Sequence, residues 1–315
     1  MTGVGPDALD LEHLRRVAAS VAYRMVGSRT EAEDLAQEAL VRLHAAAGRE
    51  QVRNPEAFVT TVVSRLSIDH LRLARVQREQ YIGPWLPEPV TSDALADGAR
   101  AAEVADTLSF ALMVVLESLG PVERAAFLLR EVFGYGYPEV AEMLGRSEPA
   151  CRQLVSRARQ RVERHARRRV VPPDEHRRLL DRFLAAARDG DVEGLRELLA
   201  ADATLVSDGG PDFKAARHPI RGRHRAVRFL RSVGPSLFHP TRRVDVVDLD
   251  GEPGFVVVVG GRVAVAGTIE VDIPAGADGP RITGVRWVIN PDKLGWVTLP
   301  EDRGPDPRTT PSPPA

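Results

Sequence analysis

Lysine is nearly missing from this chain. Of its 43 basic residues only Lys214 and Lys293 are lysines, so arginine carries almost all the positive charge, and only its position on a face can argue for a function. Cysteine is as scarce. The single Cys151 excludes a disulfide framework and a cysteine-based zinc site, and it fits a reducing compartment. Aromatic residues make up 5%, with no tyrosine after Tyr137. No stretch reaches the roughly 18 apolar residues of a spanning helix, and the acidic opening from Met1 to Asp10 lacks the apolar core of a secretion signal. Net charge is absent too: 43 basic against 44 acidic residues leave −1, so any attraction to nucleic acid has to be local. The expectation is a cytoplasmic protein with no membrane partner and no cofactor.

What is present is length. The 315 residues, 43% hydrophobic and 28% charged, can bury two or three cores. Apolar spacing of three and four residues runs from Leu11 to Met25 and again from Leu35 to Leu43, predicting two amphipathic helices broken at Gly27-Ser28, with Thr30 as cap of the second. A third helix is expected from Pro55 to Arg78. Residues 9–79 thus form one helical domain. Residues 80–102 form a linker, because three prolines in Pro84-Trp85-Leu86-Pro87-Glu88-Pro89 forbid a helix. Exposing Trp85 and Leu86 to water is unfavourable, so this linker is expected to dock onto a neighbouring surface.

Helical spacing resumes over residues 103–170. Its last two helices, from Pro138 and from Ser147, are separated by Gly145-Arg146 in a helix-turn-helix pattern. After Val171-Pro172-Pro173 the period changes, and residues 174–299 read as an α+β domain with helices packed on a curved antiparallel sheet. Val256 to Val259, Gly260-Gly261 and Arg262 onward predict a hairpin with a two-residue glycine turn. Residues 300–315 are Pro-rich and polar and are expected to be disordered.

The helix after Ser147 holds eight arginines between Cys151 and Val170 against the single acid Glu163. Codon preference does not produce that ratio in a neutral chain. Cys151, Leu154, Val155, Ala158 and Val162 fall on its packed side, which turns Arg152, Gln153 and Ser156 outward near the N-terminus, where helix-turn-helix proteins read base edges. Arg157, Arg159 and Arg161 suit phosphates. The helix from Pro55 to Arg78 adds Arg65, Arg72, Arg75 and Arg78, opposed by Asp69. The second helix is acidic, with Glu31, Glu33, Asp34 and Glu38 flanking Gln37, and such a face repels DNA and suits water or a basic partner.

Thr30-Glu31-Ala32-Glu33-Asp34-Leu35-Ala36-Gln37-Glu38 resembles the region 2 helix by which sigma-70-type factors dock on the clamp helices of RNA polymerase. Asn54 to Phe58 leading to Ile68-Asp69-His70-Leu71-Arg72 resembles the promoter-melting helix, and Tyr137 to Ala141 with Ser147 to Arg161 resembles the region 4 helix-turn-helix. Two such domains without a middle one resemble the extracytoplasmic-function (ECF) sigma factors. Trp85-Leu86-Pro87-Glu88-Pro89, Asp208-Gly209-Gly210 and Asn290-Pro291-Asp292-Lys293-Leu294 resemble the signatures of the SigJ-like group, which carries a fused, cone-shaped SnoaL-like domain. Phe58 stands where many relatives have tryptophan, and Pro211 replaces a third glycine.

The resemblance implies that Asp34, Gln37 and Glu38 meet core RNA polymerase. It implies that Arg65, Asp69, Arg72 and Arg75 lie near the melted minus-ten element of promoter DNA, and that Ser147, Arg152, Gln153, Ser156, Arg157 and Arg159 lie at the minus-thirty-five element. It further implies that the C-terminal domain contacts and regulates the sigma core through Trp85, Leu86, Pro87, Asp208, Gly209, Gly210, Asn290, Pro291, Asp292, Lys293 and Leu294. Lys293, with Lys214, is expected to anchor that contact. Two alternatives stay open: a conventional helix-turn-helix regulator, and a SnoaL-like isomerase or cyclase with a small ligand, fused to a DNA-binding module. The isomerase arrangement of a carboxylate base with a tyrosine oxyanion hole lacks its tyrosine, and Asp208, Asp212, His218, His224 and His239 match no ligand spacing. No catalysis is expected.

Overall fold

The computed structural model describes residues 10–48, 52–79, 81–91, 109–166, 171–211, 213, 215–274 and 278–299. The expected helix start at 103–108, most of the second half of the linker, Lys214, Asp212 and the tail from residue 300 lie outside them.

The N-terminal module packs α1 (Leu11–Val26), α2 (Arg29–Ala47) and α3 (Pro55–Glu79). Asp10 caps α1 and Gly27 ends it in the left-handed conformation, φ 74°, which glycine adopts without strain. Ser28, not Thr30, caps α2: its hydroxyl accepts from the Glu31 amide at 3.2 Å. The helix therefore starts two residues earlier than the run of acids suggests, which frees the Thr30 hydroxyl for another bond.

The second helical module holds α4 (Phe110–Leu116), α5 (Pro121–Phe127) closed by a π-type turn (Leu128–Val132), α6 (Tyr137–Leu144) and α7 (Glu148–Ala166). Gly145, at φ 61°, turns the chain between α6 and α7, and Ser147 caps α7 through the Ala150 amide at 3.4 Å. Cys151 and Val155 of α7 pack on Val140, Ala141 and Met143 of α6 in a small core of their own, while Ala158 joins the larger core shared with α1, α2 and α3. The two helical modules are thus one packed body.

The C-terminal domain runs α8 (Pro173–Asp189), α9 (Val192–Leu198), β1 (Leu199–Asp208), β2 (Ile220–Arg221), α10 (Arg223–Leu237), β3 (Arg243–Leu249), β4 (Glu252–Val259), β5 (Arg262–Asp272), β6 (Arg281–Val288) and a 3₁₀ turn (Pro291–Lys293). The six strands are ordered β2-β1-β6-β5-β4-β3. The expected all-antiparallel sheet is corrected here, because β1 and β6 pair in parallel. The β4–β5 turn has Gly260 and Gly261 at φ 58° and 77°, the double positive φ of a type I′ hairpin.

The valine run of β4 is apolar on both faces because both are covered. Phe255 and Val257 face the core built with α8, α9 and α10, whose interior is filled by Phe183, Phe238 and Trp287. Val256 and Val258 face the opposite way, into a core with Val247, Leu249, Ala266 and Val288 that is completed by Leu86 of the linker, Phe110 of α4, Leu294 and Val297. Helix α4 and the linker therefore close the back of the sheet. No described helix is long and apolar enough to cross a membrane.

Candidate functional site

The linker lies between the helical body and the C-terminal domain, and three separated segments converge on it. Asp208 ends β1, is fully buried, and takes four donors. Its Oδ2 accepts from the Leu86 amide at 2.8 Å and from Lys293 Nζ at 2.7 Å. Its Oδ1 accepts from the Tyr81 hydroxyl at 2.5 Å and from the Gly210 amide at 3.1 Å. Lys293 also donates to the Leu86 carbonyl at 2.6 Å, and its ammonium sits 4.0 Å from the Trp85 ring centre and 5.0 Å from that of Tyr81. A compact ammonium with three donors suits a site enclosed by two rings, one carboxylate and one carbonyl.

The 208–210 turn is held against residue 290. Asn290 donates its side-chain amide to the Tyr81 hydroxyl at 3.2 Å and accepts from the Asp292 amide at 3.2 Å. A Cβ on Gly210, which sits at φ 63°, would stand 2.8 Å from the Asn290 amide nitrogen. The turn forms with Pro211 in place. Burial, and then the bond to Asp208, raises the Tyr81 hydroxyl well above its ordinary range, so it stays a donor. Gly209, Pro291 and Leu294 complete the junction, Leu294 by burial in the sheet-back core.

A second junction lies on the other side of the linker. Tyr23 of α1 donates to the Glu88 carbonyl at 2.7 Å and to Asp250 Oδ1 at 2.8 Å. Asp250 sits in the β3–β4 turn and is the one non-glycine residue with positive φ, 49°, among the described residues. It also accepts from the Val90 amide at 3.4 Å, while its own amide donates to the Val90 carbonyl at 2.9 Å. Thr91 pairs with Leu249, so the linker extends the sheet at its β3 edge. Burial pushes the Asp250 carboxyl up to about 7, against the opposing donation from Tyr23 and Val90. Arg24, beside it, is also buried and is pushed down to about 10 by that burial.

The linker also engages the start of α2. The Glu88 carboxylate accepts from the Arg29 amide at 2.7 Å, placing an anion at the positive end of the helix dipole. From the C-terminal domain, Trp296 donates Nε1 to Thr30 Oγ1 at 3.3 Å and lies under the Arg29 guanidinium at 5.4 Å. Asp34, Gln37 and Glu38 follow along α2 on one exposed face with Val41. Of the three, only Glu38 has a side-chain partner among the described residues, Arg42 at 2.8 Å.

On α3, Asp69 and Arg72 are exposed and paired at 2.9 Å. Arg65 reaches across to α6 instead, donating Nε to the Met143 carbonyl at 2.7 Å and Nη2 to the Glu142 carbonyl at 3.1 Å. Arg75 lies on α3 with a side chain outside the described residues. On α7, Arg152, Gln153, Ser156, Arg157 and Arg159 share an exposed face. Arg152 pairs with Glu148 and stacks 4.3 Å over Tyr137. Arg159 and Arg161 pair with Glu131 and Glu123 at 2.8 and 2.6 Å, and Arg157 lies 3.8 Å from Glu123.

Sequence reasoning missed Tyr23, Tyr81, Thr91, Asp250 and Trp296. Asp250-Gly251 carries the signal of a tight turn, and Tyr23 is one of four tyrosines, but nothing local pairs residues 227 apart. Among the described residues no group of three or more His, Cys, Asp and Glu side chains is placed to hold a metal ion.

Three family models match in chain order: sigma-70 region 2 over residues 11–76, sigma-70 region 4 over 109–162, and a SnoaL-like domain over 180–289. The ECF RNA polymerase sigma factor SigJ of Mycobacterium tuberculosis is 37% identical over 93% of this chain and 95% of its own length. The chain belongs to the ECF RNA polymerase sigma factors. Within them it is SigJ-like, with the SnoaL-like domain fused behind region 4. The crystal structure of M. tuberculosis SigJ matches with a TM-score of 0.70 at 36% identity, covering 92% of this chain and 99% of that one. The probable ECF sigma factor SigI of the same species is 31% identical over 89% of this chain and 92% of its own. In this ECF sigma factor α1, α2 and α3 are region 2 and α4 to α7 are region 4; the Asp208 and Asp250 junctions join region 2 and the linker to the SnoaL-like domain, and Phe110 of region 4 packs into the core at the back of its sheet.

Proposed function

We propose that this ECF sigma factor brings core RNA polymerase to promoters with minus-ten and minus-thirty-five elements, acting in the cytoplasm, and that its SnoaL-like domain regulates it from within the same chain. Asp34, Gln37 and Glu38 of α2 form the polymerase-facing patch. Asp69, Arg72 and Arg75 of α3, with Arg65 once it leaves α6, meet the melted minus-ten element. Arg152, Gln153 and Ser156 read base edges of the minus-thirty-five element, and Ser147, Arg157 and Arg159 contact its phosphates. Capturing unstacked bases costs a few kcal/mol each, so docking on polymerase shares the work of melting.

The regulatory reading rests on one observation, the linker held between both bodies by Asp208, Lys293, Asp250 and Tyr23. In the compact form Arg65 is occupied by α6 carbonyls and the start of α2 is covered by Trp296, so releasing the linker changes what both sigma regions present. The SnoaL-like domain biases the chain between this form and an open one. No catalytic role is assigned to it, since its interior is filled by Phe183, Phe238, Phe255 and Trp287, all nearly fully buried.

Run-off transcription with purified core polymerase tests the reading. The full chain is expected to yield a promoter-specific transcript that core alone does not, and Asp208→Asn is expected to change its yield. Transcript at wild-type level from Asp208→Asn would refute regulation through this junction, and no specific transcript from any variant would refute the promoter assignment.

A further inference from the structure

The SnoaL-like domain carries an arginine surface that neither junction uses. Between Asp212 and Asp245 the chain has nine lysines and arginines and three histidines but no acid. The average over this chain would place about four acids in a window of that length. Preference for arginine over lysine accounts for the residue type and not for the missing carboxylates.

The structure concentrates these charges. Ala226, Val227 and Leu230 of α10 are buried against the domain core. Arg225, Arg228 and Arg231, at spacing of three, fall on the opposite, exposed face with His224. At about 1.5 Å rise per residue they form a stripe about 9 Å long, continued by exposed Arg221 of β2 and Arg217 of the preceding loop. None of Arg217, Arg221, Arg225, Arg228 and Arg231 has an ion-pair partner among the described residues, whereas Arg223 turns aside and donates to the Arg196 carbonyl at 3.3 Å. The first turn of α10 contains no acid, so its positive dipole end adds to the arginines. Like charges along a helix face and cations at its N-terminus weaken a helix. A domain that keeps them has a use for the field.

We propose that the α10 face of the SnoaL-like domain is a third DNA-contacting surface of this chain, binding duplex phosphates independently of sequence. Duplex DNA presents a charge about every 1.7 Å along its axis, which suits a bare arginine stripe. A membrane is disfavoured because the apolar side of α10 is buried in the domain rather than available for insertion. An acidic protein is disfavoured because α10 itself exposes no large hydrophobic anchor, the exposed Phe213 lying apart from it in the loop before Arg217, and protein interfaces depend on a cluster of such anchors. The inference extends the promoter-binding reading and differs from it in needing neither polymerase nor a promoter sequence.

The test compares full-length wild type with R225Q/R228Q/R231Q by fluorescence anisotropy, using a labelled duplex of arbitrary sequence over a range of salt. Three lost phosphate contacts at about 0.9 each predict a salt slope shallower by roughly 2.7 and a fall in affinity of about tenfold at low salt. R225K/R228K/R231K, which keeps the charge, is expected to retain the slope. These side chains are exposed, so thermal melting is expected to stay the same or rise as repulsion is relieved. Unchanged duplex affinity and slope would overturn the proposal. So would a loss confined to vesicles of anionic phospholipid or to polyglutamate, with duplex binding intact. Run-off transcription by the same variant reads the sigma-factor assignment separately: a specific transcript together with unchanged duplex binding would sink this surface and leave that assignment standing.

Discussion

Lys293 holds Asp208 at 2.7 Å across a contact in which both residues are buried, and the same ammonium holds the Leu86 carbonyl at 2.6 Å. One side chain therefore fastens β1, the 3₁₀ turn and the linker at a single point. A buried pair of this kind is weak evidence for stability as such, because removing two charges from water is costly. Its use is to specify one docking geometry, since an alternative seating of the linker would leave one of the charges unpaired.

Breaking that pair from one side has a definite cost. Lys293→Met leaves the Asp208 carboxylate buried without a counter-ion, and about 3 kcal/mol of stability is expected to be lost. Chemical denaturation followed by far-ultraviolet dichroism measures it. Lys293→Arg keeps the charge but brings a planar fork where rings lie 4.0 and 5.0 Å away, so partial recovery is expected rather than full.

Asp250 makes the contact sensitive to pH. The groups acting on it are Tyr23 and Arg24 from region 2, the Val90 amide from the linker and Glu252 from β4. Its pKa is raised in the compact form to about 7, from 3.8 for an unburied carboxyl, so closing takes up a proton between those values. The contribution is fully present below pH 3.8, falls as pH rises towards 7, and is gone above it. Acidification from just above neutrality to pH 6 is expected to favour the compact form by about tenfold. Asp250→Asn, which tolerates the positive φ, is expected to abolish that dependence while keeping acceptance from Tyr23. A fluorescence pair on the linker and region 2, followed against pH, checks both.

Gly27 ends α1 at φ 74° with the space for a Cβ taken by Trp85, 2.9 Å away. Gly27→Ala strains the backbone and pushes the ring off its seat over Lys293. A loss of about 1–2 kcal/mol is expected, together with a shift in Trp85 fluorescence that a purely local helix defect would not give.

On α7 the base-facing assignment and the phosphate assignment separate cleanly. Arg152→Ala is expected to relax discrimination at one base pair of the minus-thirty-five element by about 1–3 kcal/mol. Arg159→Ala is expected to weaken binding alike for all sequences. Competition binding by the holoenzyme on promoter variants distinguishes them.

Much of this was legible from residue order. The helices of both sigma regions follow from their three- and four-residue spacing, and Gly260-Gly261 announces its hairpin. The docked linker follows from Trp85 and Leu86, which water does not tolerate. What stayed hidden is non-local. The parallel pairing of β1 with β6 joins strands separated by the whole domain, and no pattern within either strand records its neighbour. Thr30 reads as the cap of α2 from the acids that follow it, but Ser28 takes that role and the Thr30 hydroxyl accepts from Trp296, 266 residues away. Tyr23 and Asp250 each look ordinary, and only the fold places them 2.8 Å apart.

The account depends most on α2 being the face that meets polymerase. The direct measurement is association of the full-length chain with purified core RNA polymerase, by co-elution or pull-down at moderate salt, beside Asp34→Arg/Glu38→Arg. Stoichiometric association of the wild type and loss of at least tenfold in the variant are predicted. Failure of the wild type to associate, or equal retention of the variant, would contradict it.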